Sequence, residues 1–139
     1  MYEPYSQQAL PSKQYRELLG SALCVFNSNT QFVIENILRI NSSDYDWYEL
    51  TDRTSGELNT AIEKTISREA DLAIANLFSD LVSRRNRIVH SFQITKDSEQ
   101  ILHTKDRNHN QFTITNNYLL EFIKDNGELS TMLHELRGN

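Results

Sequence analysis

One cysteine, two prolines and four glycines are all that these 139 residues contain of the types that staple, kink or loosen a chain. Cys24 by itself closes no intramolecular disulfide and supplies no cysteine zinc cluster, so a reducing, cytoplasmic setting is expected. With so few breakers, long helices are favoured. Nowhere does an uninterrupted apolar stretch reach membrane-spanning length. The opening "MYEPYSQQALPSKQY" also lacks the basic start and apolar run of an export signal, so a protein neither exported nor embedded is expected. Positive charge is scarce as well: 14 Lys and Arg against 19 Asp and Glu leave a net charge of -5. That balance excludes a protein that coats nucleic acid through its overall field, because such binding is the sum of many phosphate neutralisations. Any contact with nucleic acid has to be local. Gly-rich phosphate loops, Ser-His-Asp constellations and paired-carboxylate patterns are missing too, and no cofactor is implied.

What is present describes an ordinary globular chain, 38% hydrophobic and 24% charged. Its length suits one domain, residues 1–139, with its own core; residues 1–11 are expected to be poorly ordered or loosely packed. From a Ser12 cap, Tyr15, Leu18, Leu19, Ala22, Val25, Phe26, Phe32, Val33, Ile37 and Leu38 recur mostly at three- and four-residue steps. They predict a long amphipathic helix that ends near Asn41, at the turn-rich "NSSDYD". Thr54 with Glu57 three residues on resembles a capping box, and Leu58, Ile62 and Ile66 continue as a stripe. A second helix from about Ser55 to Arg68 follows from this. A third begins at Glu69 and carries Ala70, Ala73, Ile74, Leu77, Phe78, Leu81, Val82, Ile88 and Val89. "FQIT", "QILHT" and "QFTIT" are short β-prone pieces separated by "KDSE" and "KDRNHN". Thr115 caps a last helix through Leu136, with Gly138 as its stop. The expected fold is mainly α: a bundle of four to five helices with a short β-hairpin or ordered loop before the last one.

Against this pattern "LVSRRNRIVHSF", Leu81 to Phe92, is anomalous. Arg85 lies four residues after Leu81, three after Val82, three before Ile88 and four before Val89, in the middle of an apolar stripe. A guanidinium there keeps its charge, so it has to meet a carboxylate, line a wet cleft or face a partner. Asn86 and His90, four apart, stack on one helical face, where the amide can orient the imidazole. Arg85 and His90 are about 140° apart around the axis at roughly 100° per residue, so both can border one groove with a phosphate between them. Arginine's planar fork suits phosphate oxygens, and histidine moves protons near neutrality. These are the parts needed to cleave a phosphodiester without metal.

Arg85-Asn86-Arg87-Ile88-Val89-His90 resembles the R-x4-6-H signature of the HEPN superfamily, the higher eukaryotes and prokaryotes nucleotide-binding domain, in the form with a polar residue directly after the arginine. The motif near the end of a late helix with one more helix following is similar to that family's helical order over about Ser12 to Leu136. The resemblance implies a HEPN-like bundle that acts as a metal-independent endoribonuclease of toxin or phage-defence type. It would be a homodimer with two motifs facing one cleft, restrained by a cognate antitoxin protein. Arg85 would then contact the scissile phosphate, Asn86 would orient the site and His90 would handle the proton. Attack by a 2'-hydroxyl requires RNA and leaves a 2',3'-cyclic phosphate. Arg84, Arg87, His103, Lys105 and Arg107 are the candidate RNA contacts. The alternative is a catalytically inactive HEPN-like module that binds a nucleotide or protein.

Other groupings carry less. His103, His109 and Asp106 match no strong ligand spacing, and a hydrated loop accounts for them better than a metal site. Tyr45, Trp47 and Tyr48 are suited to stacking on bases or to covering the bundle's end. Thr51 to Thr54 form a polar corner from which an Asp or Arg can meet the motif, and Tyr118 and Phe122 read as core.

Overall fold

A computed structural model of the chain describes residues 3–138, so Met1, Tyr2 and Asn139 lie outside the described residues. The architecture is mainly helical, with a small antiparallel sheet inserted before the last helix. In chain order the elements are α1 (Lys13–Ile40), α2 (Trp47–Asp52), α3 (Ser55–Lys64), α4 (Ile66–Glu69) and α5 (Ala73–Val89), then β1 (Ser91–Lys96), β2 (Glu99–Lys105), β3 (Gln111–Thr113) and α6 (Asn116–Arg137).

The long helices begin and end where their capping chemistry sits. Ser12 accepts from the Tyr15 amide to start α1, Thr115 accepts from the Tyr118 amide to start α6, and Thr54 and Glu57 complete a reciprocal capping box on α3. Gly138, at φ 85°, closes α6 in the left-handed conformation that glycine adopts freely. The expected second helix is broken in two. Thr65 is buried, its hydroxyl donates back to the Ala61 carbonyl at 2.8 Å, and its backbone leaves the helical region at φ -123°, ψ -76°. The third helix starts at Ala73 rather than Glu69, because Ala70 is non-helical and the Asp71 carboxylate caps the Ala73 amide at 2.8 Å. Helix α2 was not anticipated. Its signal is Asp46, which accepts from Glu49 three residues on at 2.9 Å.

Helices α1 and α6 run parallel with an almost constant offset. Tyr15 meets Ile114, Asn29 meets Asn126 and Arg39 meets the Leu136 carbonyl, at separations of 99, 97 and 97 residues. In the middle, the Asn29 amide donates to the Asn126 carbonyl at 2.7 Å and to its Oδ1 at 3.0 Å, while the Asn126 amide donates to Phe122 O at 2.9 Å. Both side chains are buried, and a satisfied polar pair in an apolar seam selects one register over its neighbours. "NSNTQ" thus stays within the helix. Beside this pair the core is aromatic: Phe26 of α1 stacks on Phe78 of α5 at 6.0 Å and on Phe122 of α6 at 6.1 Å.

The sheet has the order β1-β2-β3, with both pairings antiparallel. Asp97 and Ser98, both at positive φ, connect Lys96 to its partner Glu99 by a two-residue turn whose twist matches the strands. Tyr15 fastens the sheet to α1. Its hydroxyl donates to Ile114 O at 2.6 Å and accepts from the Leu102 amide at 3.3 Å, and burial raises its pKa above the ordinary tyrosine value. The N-terminal residues from Glu3 are held by Arg16, which donates to Glu3, Tyr5 and Pro11, and by Gln93, which donates to Ala9 O. Among the described residues no helix is long and apolar enough to cross a membrane.

Tyr15→Phe strands a buried amide and a buried carbonyl and is expected to cost about 1–3 kcal/mol. Chemical denaturation checks it; a midpoint equal to that of the wild type would show that the hydroxyl contributes nothing.

Candidate functional site

Helix α5 carries two stripes one residue out of step. Phe78, Leu81, Arg85 and Ile88 face the core, and Phe78, Leu81 and Ile88 are buried. Ser79, Val82, Ser83, Asn86 and His90 recur at three- and four-residue steps along the other stripe, which forms one wall of a cleft of about 930 Å³. The opposite wall comes from the sheet and α6. Since His90 is the C-cap of α5 and Ser91 begins β1, the strands turn back at once and carry the β2–β3 loop over the helix. Asp106, Arg107 and Asn108 of that loop, Phe112 of β3 and Tyr118 of α6 complete the lining.

The loop is built around one carboxylate. Asp106 Oδ1 accepts from the amides of Asn108 at 2.9 Å and Asn110 at 3.0 Å, and Oδ2 accepts from the Asn110 side chain at 3.2 Å. The Asn110 amide first, and then the other donors and Arg87, hold the Asp106 carboxyl below the usual carboxylate range. His109 takes positive φ inside the turn, at 66°. Arg87 pins the loop to α5 by donating to the Lys105 carbonyl.

The three neighbouring arginines do different work. Arg84 lines the cleft, but its charge is matched by Asp80 at 2.9 Å and Asp125 at 2.7 Å, and its guanidinium lies over the Phe122 ring. Arg85 does not line the cleft. It reaches across the core stripe to the Ser55 hydroxyl at 3.0 Å and covers the Phe26 ring at 5.2 Å, and burial lowers its pKa from the ordinary arginine value. Its Nε is buried without a hydrogen bond, and no carboxylate among the described residues pairs with it. The expectation that Arg85 and His90 border one groove therefore fails within a single chain. At 140° apart the two side chains fall on opposite sides of α5, and the core takes the arginine. Nor does an internal acid meet Arg85: its partner is Ser55, the first residue of α3, and not an Asp or Arg of the polar corner.

Asn86 and His90 both line the cleft, yet their side chains form no hydrogen bond with one another; the link between them is the His90 amide to the Asn86 carbonyl at 2.9 Å. His90 is exposed. Of the candidate RNA contacts, Arg84, Arg87 and Arg107 line the cleft, and neither Arg87 nor Arg107 is in an ion pair among the described residues. His103 and Lys105 are not in the lining; His103 bonds to Thr113 Oγ1 at 3.1 Å and packs edge-on against Phe92. Tyr45 packs against the core, whereas Trp47 and Tyr48 stand exposed on α2 and are not in the cleft lining. Tyr118 and Phe112 are the aromatic lining residues that sequence reasoning missed, beside the polar Ser79, Ser83 and Asn108. The apolar stripe of α6 makes Tyr118 resemble core, and only the folded-back sheet opens a cavity beside it.

No protein-family model matches the chain, and no curated protein or solved structure gives a significant match to it.

The Asp106 turn is expected to respond to acid. Its folded pKa is depressed, so its contribution is fully present above the unfolded value near about 4 and is lost as pH falls through the lower folded value. The Asn108 and Asn110 amide resonances should shift together below about pH 4 and should not titrate in Asp106→Asn. Resonances that stay still in the wild type would sink this account.

Proposed function

We propose that this protein is a metal-independent endoribonuclease of the HEPN-like type, acting on RNA held in the α5 cleft. The observation that carries the reading is the convergence on one open cleft of an exposed His90, its neighbour Asn86 and two arginines, Arg87 and Arg107, that lack ion-pair partners among the described residues. The resemblance of Arg85 to His90 to the R-x4-6-H signature, in a mainly helical fold with the motif at the end of α5 and α6 following, supports it. In this reading Arg87 and Arg107 hold a phosphate by charge-assisted hydrogen bonds. His90 accepts the proton of the neighbouring 2'-hydroxyl as its oxygen bonds to phosphorus; the bond to the 5'-oxygen breaks, and that oxygen takes a proton from water, giving a 2',3'-cyclic phosphate and a 5'-hydroxyl. Asn86, beside His90 in the lining, would orient the site as the resemblance implies. Arg85 is held over Phe26 and against Ser55 on the other side of α5 and takes no part in this scheme; the homodimer is what the resemblance implies. A toxin or phage-defence role, with a cognate antitoxin as restraint, follows from the resemblance.

A second reading, a catalytically inactive module that binds RNA or a nucleotide, is favoured by two observations: the lining holds a single histidine, and the motif arginine points into the core.

Purified protein incubated with mixed RNA in EDTA should generate fragments with cyclic phosphate ends, and His90→Ala should slow this at least about 100-fold. Replacing Arg87 and Arg107 together by alanine should flatten the salt dependence of single-strand binding by about 1.4 in log–log slope, at roughly 0.7 per phosphate contact. RNA that binds but survives in the wild type selects the second reading, and RNA that does not bind at all removes the nuclease and leaves only a module for a nucleotide.

A further inference from the structure

Besides its arginines and His90, the cleft contains an aromatic corner that phosphate binding leaves unused. Phe112 of β3 and Tyr118 in the first turn of α6 have ring centroids 5.5 Å apart, inclined at 44°. Val82 of α5 lies in the same lining. Both rings are half-buried. They are also fixed: Phe112 lies opposite the fully buried Thr104 in the sheet register, and the Tyr118 hydroxyl donates to the Arg84 carbonyl at 3.3 Å. Arg84 is in turn tied to Asp80 and Asp125. An apolar aromatic surface next to two arginines without ion-pair partners among the described residues complements the two halves of a nucleotide, a flat ring and a phosphate.

We propose that Phe112 and Tyr118 form a base-binding subsite, against which one unpaired nucleobase stacks while its phosphate meets Arg87 and Arg107. This rests on the cleft being the RNA site. Stacking on an aromatic face tolerates any base, so the subsite confers selectivity for strandedness more than for sequence. In a duplex the base is already stacked and paired, and the corner stays empty unless the nucleotide is splayed out.

The test uses the full chain and a short single-stranded oligoribonucleotide carrying 2'-O-methyl groups, which is bound without being cleaved. An otherwise identical strand with one central abasic residue, at its best register, should bind between about 5- and 100-fold more weakly. Phe112→Leu keeps an apolar side chain on β3 and should lose a similar factor on the intact strand but little on the abasic one. Tyr118→Leu, which removes the second ring, should likewise weaken binding of the intact strand and change that of the abasic one little. Equal affinity of the wild type for intact and abasic strands overturns the proposal, and so does a Phe112→Leu protein that loses both equally. Free AMP against ribose 5-phosphate separates this inference from the reading on which it rests. If no strand binds but AMP is preferred, the base subsite stands as a mononucleotide site and the RNA reading falls. If strands bind without regard to the base, the RNA reading stands and the subsite falls.

Discussion

The stack of Phe78, Phe26 and Phe122 is the interaction on which the rest of the molecule depends. It joins α5, α1 and α6 at one level, and all three rings are buried. Two consecutive arginines then close over it from different sides, Arg84 above Phe122 and Arg85 above Phe26. A guanidinium's flat face tolerates an aromatic ring where an ammonium would keep its water, so the aromatic core accommodates two cations at its margin. Their neutralisation is unequal. Each lies over a ring and leaves a buried Nε without a hydrogen bond, but Arg84 has two carboxylates where Arg85 has one hydroxyl.

That asymmetry sets the chemistry of the α5 surface. Because the core stripe takes Arg85, the adjacent stripe is left to Asn86 and His90, and the sheet supplies what faces them. The sheet is small, yet its position follows from the chain reversing at His90 itself, from the Asp97-Ser98 turn, and from the Tyr15 hydroxyl that fastens β2 and the residue after β3 to α1. The result in an acidic protein is one concave surface where arginines outnumber acids, with Asp106 spent on holding its own loop. A field focused in a cleft does not require a positively charged molecule.

Much of the fold was legible from local chemistry. Caps at Ser12, Thr54 and Thr115, the stop at Gly138 and the three β-prone pieces all lie where side chains act on their own backbone within a few residues. The misses have the same explanation in reverse. Thr65 breaks a helix because it is buried with its hydroxyl turned back on Ala61, and burial is a property of the whole fold. Helix α2 is six residues long, too short to show periodicity, although the Asp46 to Glu49 spacing marks its start.

By itself the sequence determined the mainly helical class, the placement of Arg85 on the core stripe, and the shared face of Asn86 and His90, because these follow from 3.6-residue periodicity alone. Only the tertiary structure decided what each of them meets. A helical wheel gives an angle between Arg85 and His90 but not the identity of the element on either side. Packing put Phe26 and Ser55 on one side and the folded-back sheet, with Arg107, Phe112 and Tyr118, on the other. Those neighbours are 22 residues or more from His90 by sequence in Tyr118 and Phe112, and 59 or more from Arg85 in Phe26, separations that no local pattern spans.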